Sequence, residues 1–360
     1  MLVERLELID FRNYERASFE LTAGVTCVVG KNGQGKTNLA ESLAFLSSLT
    51  SFRQVPNDAL IRVGADVAII RAHVIDDGGR SSLIEAEIPR VGRGRVQVNR
   101  QRLQRTRDLL GTVRTSVFSP DDLILVKGGP GERRRFLDET LVALALKNDA
   151  LRLEVDRILR QRNTLLRQIG GRLDGDAIVT LDVWDERLAQ VGEQLGHARQ
   201  VLVENVTPYV RTAYAHLAGE MTDIGLSYTP SWRTIGLAEA LRAARNDDVR
   251  RGVSTVGPHR DELELSIDGL PARTHASQGE QRTLALGLRL GAHRLVSERA
   301  ESSPVLILDD VLSELDEERA TALLNDIPAG QVIITTASAL PAAAQPDRIL
   351  YISNGTVAPK

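Results

Sequence analysis

Eight consecutive residues, Gly30-Lys31-Asn32-Gly33-Gln34-Gly35-Lys36-Thr37, fit in full the pattern of glycine, four residues, then Gly-Lys-Thr. They follow the apolar run Val25-Thr26-Cys27-Val28-Val29 and precede a helix-forming run from Asn38 to Leu43. Glycine lets the backbone curl until successive N–H groups face inward on phosphate oxygens, and the helix that follows adds the positive end of its dipole. In that arrangement Lys36 reaches the β- and γ-phosphates of a nucleoside triphosphate, and the Thr37 hydroxyl holds Mg²⁺. Such a loop needs a carboxylate at the end of a neighbouring buried strand. Val305-Leu306-Ile307-Leu308 followed by Asp309-Asp310 supplies it. Asp309 would bind Mg²⁺ or its water shell, and Asp310 would serve as general base on the attacking water. Alone, the same pair could be read as a cap on the next helix. A third constellation, Ser277-Gln278-Gly279-Glu280, opens the run Arg282 to Leu290. Ser277 and Glu280 stand at capping-box spacing, and Gly279 leaves room for close backbone approach, so this helix end can receive an anion.

The elements that must carry these groups are legible in outline. Leu2 to Ile9 and Ala17 to Leu21 read as strands joined through Phe11-Arg12-Asn13-Tyr14, and Val25–Val29 as a strand covered on both faces. Val67 to Ile75, Leu83 to Ile88 and Arg95 to Val98 suggest an antiparallel meander. From Leu137 apolar residues step by four and three through Leu165, with Asn148 and Arg162 as polar exceptions; after the loop 170–176 a second seam runs from Leu181 to Leu202. Two such seams predict an antiparallel helical hairpin, each arm of ~30 residues and roughly 45 Å long. It is either a projecting arm or two core helices of a helical subdomain. Pro208 would begin or kink the next helix. Strands return at Leu263–Ile267, Val305–Leu308, Val332–Thr335 and Ile349–Ile352, the last before an Asn354-Gly355 hairpin signal. The organisation predicted is one α/β domain assembled from both termini, residues 1–125 and 250–360, with an inserted helical lobe at 126–249.

The 360 residues carry 45 basic and 48 acidic side chains, a formal charge of −3. From Arg90 to Arg135, twelve basic residues stand against four acidic ones, a net of +8 that leaves −11 for the rest. Arg93, Arg95, Arg100, Arg102, Arg105, Arg133, Arg134 and Arg135 are the candidates for phosphate-backbone contacts, since the arginine fork suits phosphate; a solvated basic loop is the plainer alternative. No recognition-helix or zinc-finger pattern points to sequence-specific reading. One cysteine, Cys27, excludes an internal disulfide and suggests a reducing compartment. The N-terminal residues mix charge with apolar groups, unlike a signal peptide, and no apolar run nears eighteen residues, so a cytoplasmic chain with no membrane partner is expected.

In chain order, a phosphate loop, an inserted helical segment, a capped Ser-x-Gly helix and an apolar strand ending in Asp-Asp resemble the ATP-binding-cassette class of ATPase. More narrowly, the chain resembles the RecF family, relatives of the SMC-type ATPases, over essentially its whole length. The resemblance rests on Phe11-Arg12-Asn13-Tyr14, the phosphate loop, Phe118 to Leu123, Lys127-Gly128, Arg133 to Asp138, Gly257-Pro258-His259-Arg260-Asp261-Glu262, the Ser277 segment and Leu308 to Asp316. It implies an ABC-type ATPase head, an ATP-dependent homodimer in which Ser277 to Glu280 bind the γ-phosphate held by the other subunit, and binding to gapped or junction DNA. It also implies recombinase loading on single strands with RecO and RecR, within DNA repair, replication and the SOS response to damage. By the same resemblance, Arg12 and Asn13 lie near the nucleotide, and Ser313, Glu314, Leu315 and Asp316 form the loop that meets the opposite subunit. Three departures stand out. Asp310 replaces the glutamate of transporter cassettes and predicts slow hydrolysis. Thr335-Thr336 stand where a histidine is usual. Asp121-Asp122 occupy about the region of a metal-linking glutamine that is not evident. His259 fits either a γ-phosphate sensor or a buried, satisfied histidine. A P-loop kinase would not need the Ser277 helix or the heptad hairpin, a transporter subunit would require a membrane permease, and a GTPase would carry Asn-Lys-x-Asp, which is missing.

Overall fold

The computed structural model describes residues 1–171, 175–299 and 303–358. By contact density the chain divides into two compact units. The first comprises Met1–Asp122, Ala213–Glu220 and the chain from Leu286 onward; the second comprises Leu123–Thr212 and Met221–Ala285.

The first unit holds two six-stranded sheets. One is antiparallel, in the order β2 (Tyr14–Glu20), β1 (Leu2–Phe11), β4 (Val67–Ile75), β5 (Ser81–Pro89), β6 (Arg95–Val98), β7 (Gln101–Arg102). Its strands alternate buried and half-exposed residues, as β4 does throughout, which is the pattern of a sheet with one covered face. The other is β15 (Thr356–Ala358), β14 (Arg348–Ser353), β3 (Val25–Val29), β13 (Val332–Thr336), β12 (Val305–Asp309), β8 (Thr115–Phe118). All its pairings are parallel except that of the β14–β15 hairpin. The pairing of β3 with both β13 and β14 joins the two ends of the chain in one sheet, as the sequence predicts.

Both faces of this parallel sheet are covered, which explains why β12 and β13 are apolar and buried almost without interruption. Ile307 and Ile333 pack with Leu39 and Leu43 of α1 (Lys36–Ser48) and with the antiparallel sheet. Cys27, Leu306, Leu308 and Ile334 pack on the opposite side with Leu286, Leu290, Leu323 and Leu324. Burial pushes the Cys27 thiol up to about 11, so the residue serves packing.

The second unit contains α2 (Ile124–Lys127), α3 (Pro130–Leu144), α4 (Lys147–Ile169), most of α5 (Gly175–Ala218), the small sheet of β9 (Ile224–Ser227), β10 (Glu264–Ile267) and β11 (Leu270–Pro271), α6 (Leu237–Arg251) and α7 (Ala272–His275). Here the heptad reading needs correction. The first seam is two helices, because Ala145 is extended (φ −156°) and ends α3, while Asn148 Nδ2 donates to the Leu141 carbonyl across the break. The second arm is a single helix of 44 residues, roughly 66 Å at 1.5 Å per residue, and it runs through Pro208 instead of restarting there. Arg162, the polar exception in the seam, is fully buried and bonds Asp185 of α5 at 2.7 Å and Asp248 of α6 at 2.6 Å. A third helix thus packs on the hairpin through that arginine and through Leu166, Leu181 and Val249, the arrangement of core helices rather than of a free arm. This unit reaches Ala285, beyond residue 249, because the segment 254–262 bonds inside it: Glu262 takes both arms of Arg133, and the Pro258 carbonyl accepts from Arg199. Helix α8 (Gln278–Arg299) begins in the second unit and continues in the first, where α9 (Glu317–Asn325) follows β12. No described helix is long and apolar enough to cross a membrane.

Candidate nucleotide site

The loop 30–37 joins β3 to α1, and its shape is set from outside as well as by its glycines. Gly35 lies at φ +117°, and a Cβ there would stand 2.8 Å from the Asn13 amide and the Tyr14 hydroxyl. Tyr14 donates to the Gly35 carbonyl at 2.8 Å, and Asn13 Nδ2 donates to the Gln34 carbonyl at 2.9 Å. The Asn354-Gly355 turn, with both residues at positive φ, supports the loop from the C-terminal hairpin. Gly355 N–H donates to the Gln34 carbonyl at 3.1 Å, and Asn354 N–H to Gln34 Oε1. That hairpin was readable as a hairpin; its service to the phosphate loop was not.

Lys36 is 5% exposed, and among the described residues its ammonium donates to one acceptor, the Lys31 carbonyl at 3.1 Å. A buried ammonium with three donors and one acceptor fits a loop built to take phosphate oxygens. Asp309, 4% exposed at the end of β12, sits opposite Thr335 in the β12–β13 register. Burial raises its pKa, and hydrogen bonds from Thr335 and Thr37 oppose that rise. Thr37 and Asp309 therefore meet, and a hydroxyl and a carboxylate oxygen are suitable donors for Mg²⁺, which binds few protein ligands and completes its shell with phosphate and water.

Thr335 is the residue that sequence reasoning left as a gap. Its hydroxyl donates to Asp309 Oδ1 at 2.7 Å and accepts the Asp310 N–H at 3.0 Å, tying both aspartates to β13. Asp310 adopts the left-handed conformation, φ 53°, and Ser313 Oγ donates to its carbonyl at 2.9 Å and to its carboxylate at 2.5 Å. Of the loop 313–316, Ser313, Glu314 and Asp316 are exposed and Leu315 is half-buried, while Asp316 caps α9 by accepting the Arg319 N–H at 2.8 Å. Asp122 does not stand in for a metal-linking glutamine, because Arg289 and the Ser119 N–H hold its carboxylate at 2.7 Å and 2.8 Å. Arg53 escaped notice in the sequence, since Ser51-Phe52-Arg53-Gln54 matches no pattern; its charge acts on Asp309. Arg12, expected near the nucleotide, binds the buried Glu41 of α1 through two bonds of 2.7 Å.

In the second unit the capping box at Ser277 forms reciprocally: Ser277 N–H donates to Glu280 Oε2 at 2.6 Å, and Glu280 N–H to Ser277 Oγ at 3.3 Å. Ser277 and Gln278 are exposed, with Gly279 and Glu280 half-exposed. His259 Nε2 lies 3.0 Å from the Ser254 carbonyl, and burial pushes its pKa down to about 4, so it is a neutral, hydrogen-bonded histidine.

The basic candidates separate into two groups. Arg93, Arg95, Arg100, Arg102 and Arg105 are all exposed around the β6–β7 hairpin, whose turn residues Asn99 and Arg100 lie at positive φ. Arg133, by contrast, is 6% exposed, clasped by Glu262 and donating to the Leu125 and Gly128 carbonyls. Its fork serves the interior rather than a phosphate backbone. Arg134 donates to the Asp261 carbonyl, and Arg135 pairs with Glu132 and Glu139.

Residues 2–354 match the model of the RecF/RecN/SMC N-terminal domain. A protein of Frankia alni named DNA replication and repair protein RecF is 44% identical, the match covering 94% of this chain and 93% of that one. A protein of the same name from Streptomyces avermitilis is also 44% identical, covering 94% of each. A solved structure of the recombination mediator protein RecF with ATP, of the RecFOR pathway, superposes with a TM-score of 0.90 at 28% identity, over 99% of this chain and 96% of that one. An Smc head bound to the C-terminal winged-helix domain of ScpA shares the fold, with a TM-score of 0.61 at 16% identity over 99% and 96%.

Proposed function

The chain belongs to the RecF/RecN/SMC family, within it to the RecF proteins of DNA replication and repair, and has the α/β fold of an ABC-type ATPase head; from this premise we propose that it is a nucleotide-switched DNA clamp. ATP would be held by residues 30–37 with Lys36 on its phosphates, and Mg²⁺ by Thr37 and Asp309. The metal supplies charge neutralisation at the phosphate oxygens. The exposed Ser277–Glu280 helix end would close over the γ-phosphate bound by a second copy, and Ser313–Asp316 would meet that copy, so that ATP joins two chains. Asp310 would take a proton from water as its oxygen attacks the γ-phosphorus and the bond to the β,γ-bridging oxygen breaks, giving ADP and phosphate. Held by Ser313 and one methylene shorter than glutamate, Asp310 makes a slow base, which suits a timer that releases DNA. The arginines of the β6–β7 hairpin would bind backbone phosphates without reading sequence. In the cytoplasm, gapped or junction DNA would be the substrate and RecO and RecR the partners that pass single strands to recombinase.

The observation that carries this reading is the convergence of Lys36, Thr37 and Asp309 in the head of a chain whose Ser277 helix end is formed and exposed. Its test is DNA binding with and without ATP on gapped and intact duplex. Binding that strengthens with ATP and favours the gap is expected; equal affinity in all four conditions would overturn the clamp.

A further inference from the structure

One peptide of the phosphate loop is gripped from both ends of the chain. The Gln34 carbonyl accepts Asn13 Nδ2 at 2.9 Å and the Gly355 N–H at 3.1 Å. The Asn13 amide is itself held, because Asn38 of α1 donates its Nδ2 to Asn13 Oδ1 at 2.7 Å, which keeps the Asn13 nitrogen turned toward Gln34. The Gln34 side chain is fastened as well, its Oε1 accepting the Asn354 N–H. The C-terminal hairpin also meets the start of the loop. Strand β14 runs parallel to β3 with Tyr351 opposite Val29, and a Cβ on Gly30 would run into the Ile352 carbonyl.

These grips decide where the next N–H points. The Gln34–Gly35 peptide is trans and planar, so its carbonyl and the Gly35 N–H face opposite ways. With the carbonyl held by Asn13 and Gly355, the Gly35 N–H is turned away from them, toward the inside of the loop. Among the described residues it donates to no backbone acceptor. Gly35 itself, at φ +117°, has a backbone that tolerates other peptide orientations, so the aim of this donor has to come from its neighbours.

We propose that Asn13 and the Asn354-Gly355 turn are positioning residues, which clamp the Gln34 carbonyl so that the Gly35 N–H is aimed at the bound phosphates. The inference rests on the ATPase reading and deepens it, since it makes nucleotide occupancy and the C-terminal hairpin one coupled unit. Coupling of this kind is reciprocal: a clamp that favours phosphate binding is in turn tightened by bound phosphate.

The test uses the full chain as wild type, Asn13→Ala and Gln34→Ala, with amide exchange at residues 354 and 355, the ATP dissociation constant and kcat. In the wild type, ATP should slow exchange at Asn354 and Gly355. Asn13→Ala should speed exchange at Gly355 without nucleotide and raise the dissociation constant about fivefold to tenfold, with kcat at saturating ATP within about twofold, as expected for one lost hydrogen bond that orients a ground-state contact. Gln34→Ala keeps the carbonyl and frees only Asn354, so ATP should protect Asn354 less while affinity falls by less than in Asn13→Ala. A kcat that falls in Asn13→Ala with the dissociation constant unchanged would reduce Asn13 to a structural part and overturn the proposal. So would a Gly355 amide whose exchange ignores both ATP and Asn13→Ala. If the wild-type chain binds no ATP, the ATPase reading itself fails, and exchange at Gly355 in nucleotide-free Asn13→Ala then decides alone whether the clamp exists.

Discussion

Replacing Thr335 with valine removes one hydroxyl from beside Asp309, the carboxylate proposed to hold Mg²⁺, and almost nothing else. The two side chains are nearly the same shape, valine is at home in a buried strand, and position 335 has no exposed surface. Two bonds are lost: the 2.7 Å donation to Asp309 Oδ1 and the 3.0 Å acceptance from Asp310 N–H. The second loss is cushioned, because Asp310 N–H also reaches the Thr335 carbonyl at 3.1 Å. The first is not: Asp309 keeps Thr37 as a donor but loses the group that aims its carboxylate. A hydrogen bond to a charged group contributes about 1.5–3 kcal/mol, so the Mg²⁺ concentration for half-maximal hydrolysis should rise about tenfold to a hundredfold. The assay is steady-state hydrolysis at saturating ATP over a Mg²⁺ series, with thermal unfolding to check the fold. A Thr335→Val protein that keeps its stability, kcat and Mg²⁺ requirement within about twofold would refute the role given to Thr335.

Gly355→Val should weaken ATP binding by about tenfold, since its Cβ would lie 2.5 Å from the Asn13 carbonyl oxygen at φ +70°; Gly269→Val, at φ +76° with nothing within 4 Å, should cost stability without touching ATP. Alanine at Arg93, Arg95, Arg100, Arg102 and Arg105 should flatten the salt dependence of DNA affinity by roughly 0.9 in log–log slope per lost contact. Arg133→Ala should leave that slope alone and destabilise the second unit by about 3 kcal/mol, read as a lower melting temperature, because it strands Glu262 and two carbonyls. Acid should destabilise the protein through His259 and His293, both pushed down to about 4 by burial. Unfolded histidine titrates near 6.5, so as pH falls below that value the unfolded chain takes up protons the folded one refuses, about 2 kcal/mol per histidine by pH 5. Denaturant melts of His293→Leu should show a shallower decline between pH 7 and 5; a parallel curve would contradict the assignment.

The parts of the site that a reader of the sequence can find are those whose chemistry is local. The phosphate loop, the Asp309-Asp310 pair and the Ser277–Glu280 capping box depend on residues a few positions apart, so spacing alone exposes them. The placement of Thr335 depends on a neighbour brought by the fold, through the β12–β13 register that sets it beside Asp309. Charge misleads for the same reason. Arg133 and Arg102 look alike in the sequence, but Glu262, 129 residues away from Arg133, draws it inside, while Arg102 stays exposed on the edge strand of its sheet. The strands of the covered sheet were legible from their apolar runs, except β8, whose four residues lie in a basic stretch. The helical lobe was legible in its periodicity but not its lengths, because the break at Ala145 and the passage through Pro208 are decided by packing over local preference.

In the proposed clamp ATP joins two chains through the phosphate loop of one and the Ser277 helix end of the other. Sedimentation of the wild-type protein and of Ser277→Arg, each with and without ATP and Mg²⁺, tests it most directly. The wild type should pass from monomer to dimer mass only with ATP, and Ser277→Arg should stay monomeric while still binding the nucleotide. A wild type whose mass ignores ATP, or a Ser277→Arg protein that dimerises as the wild type does, would contradict it.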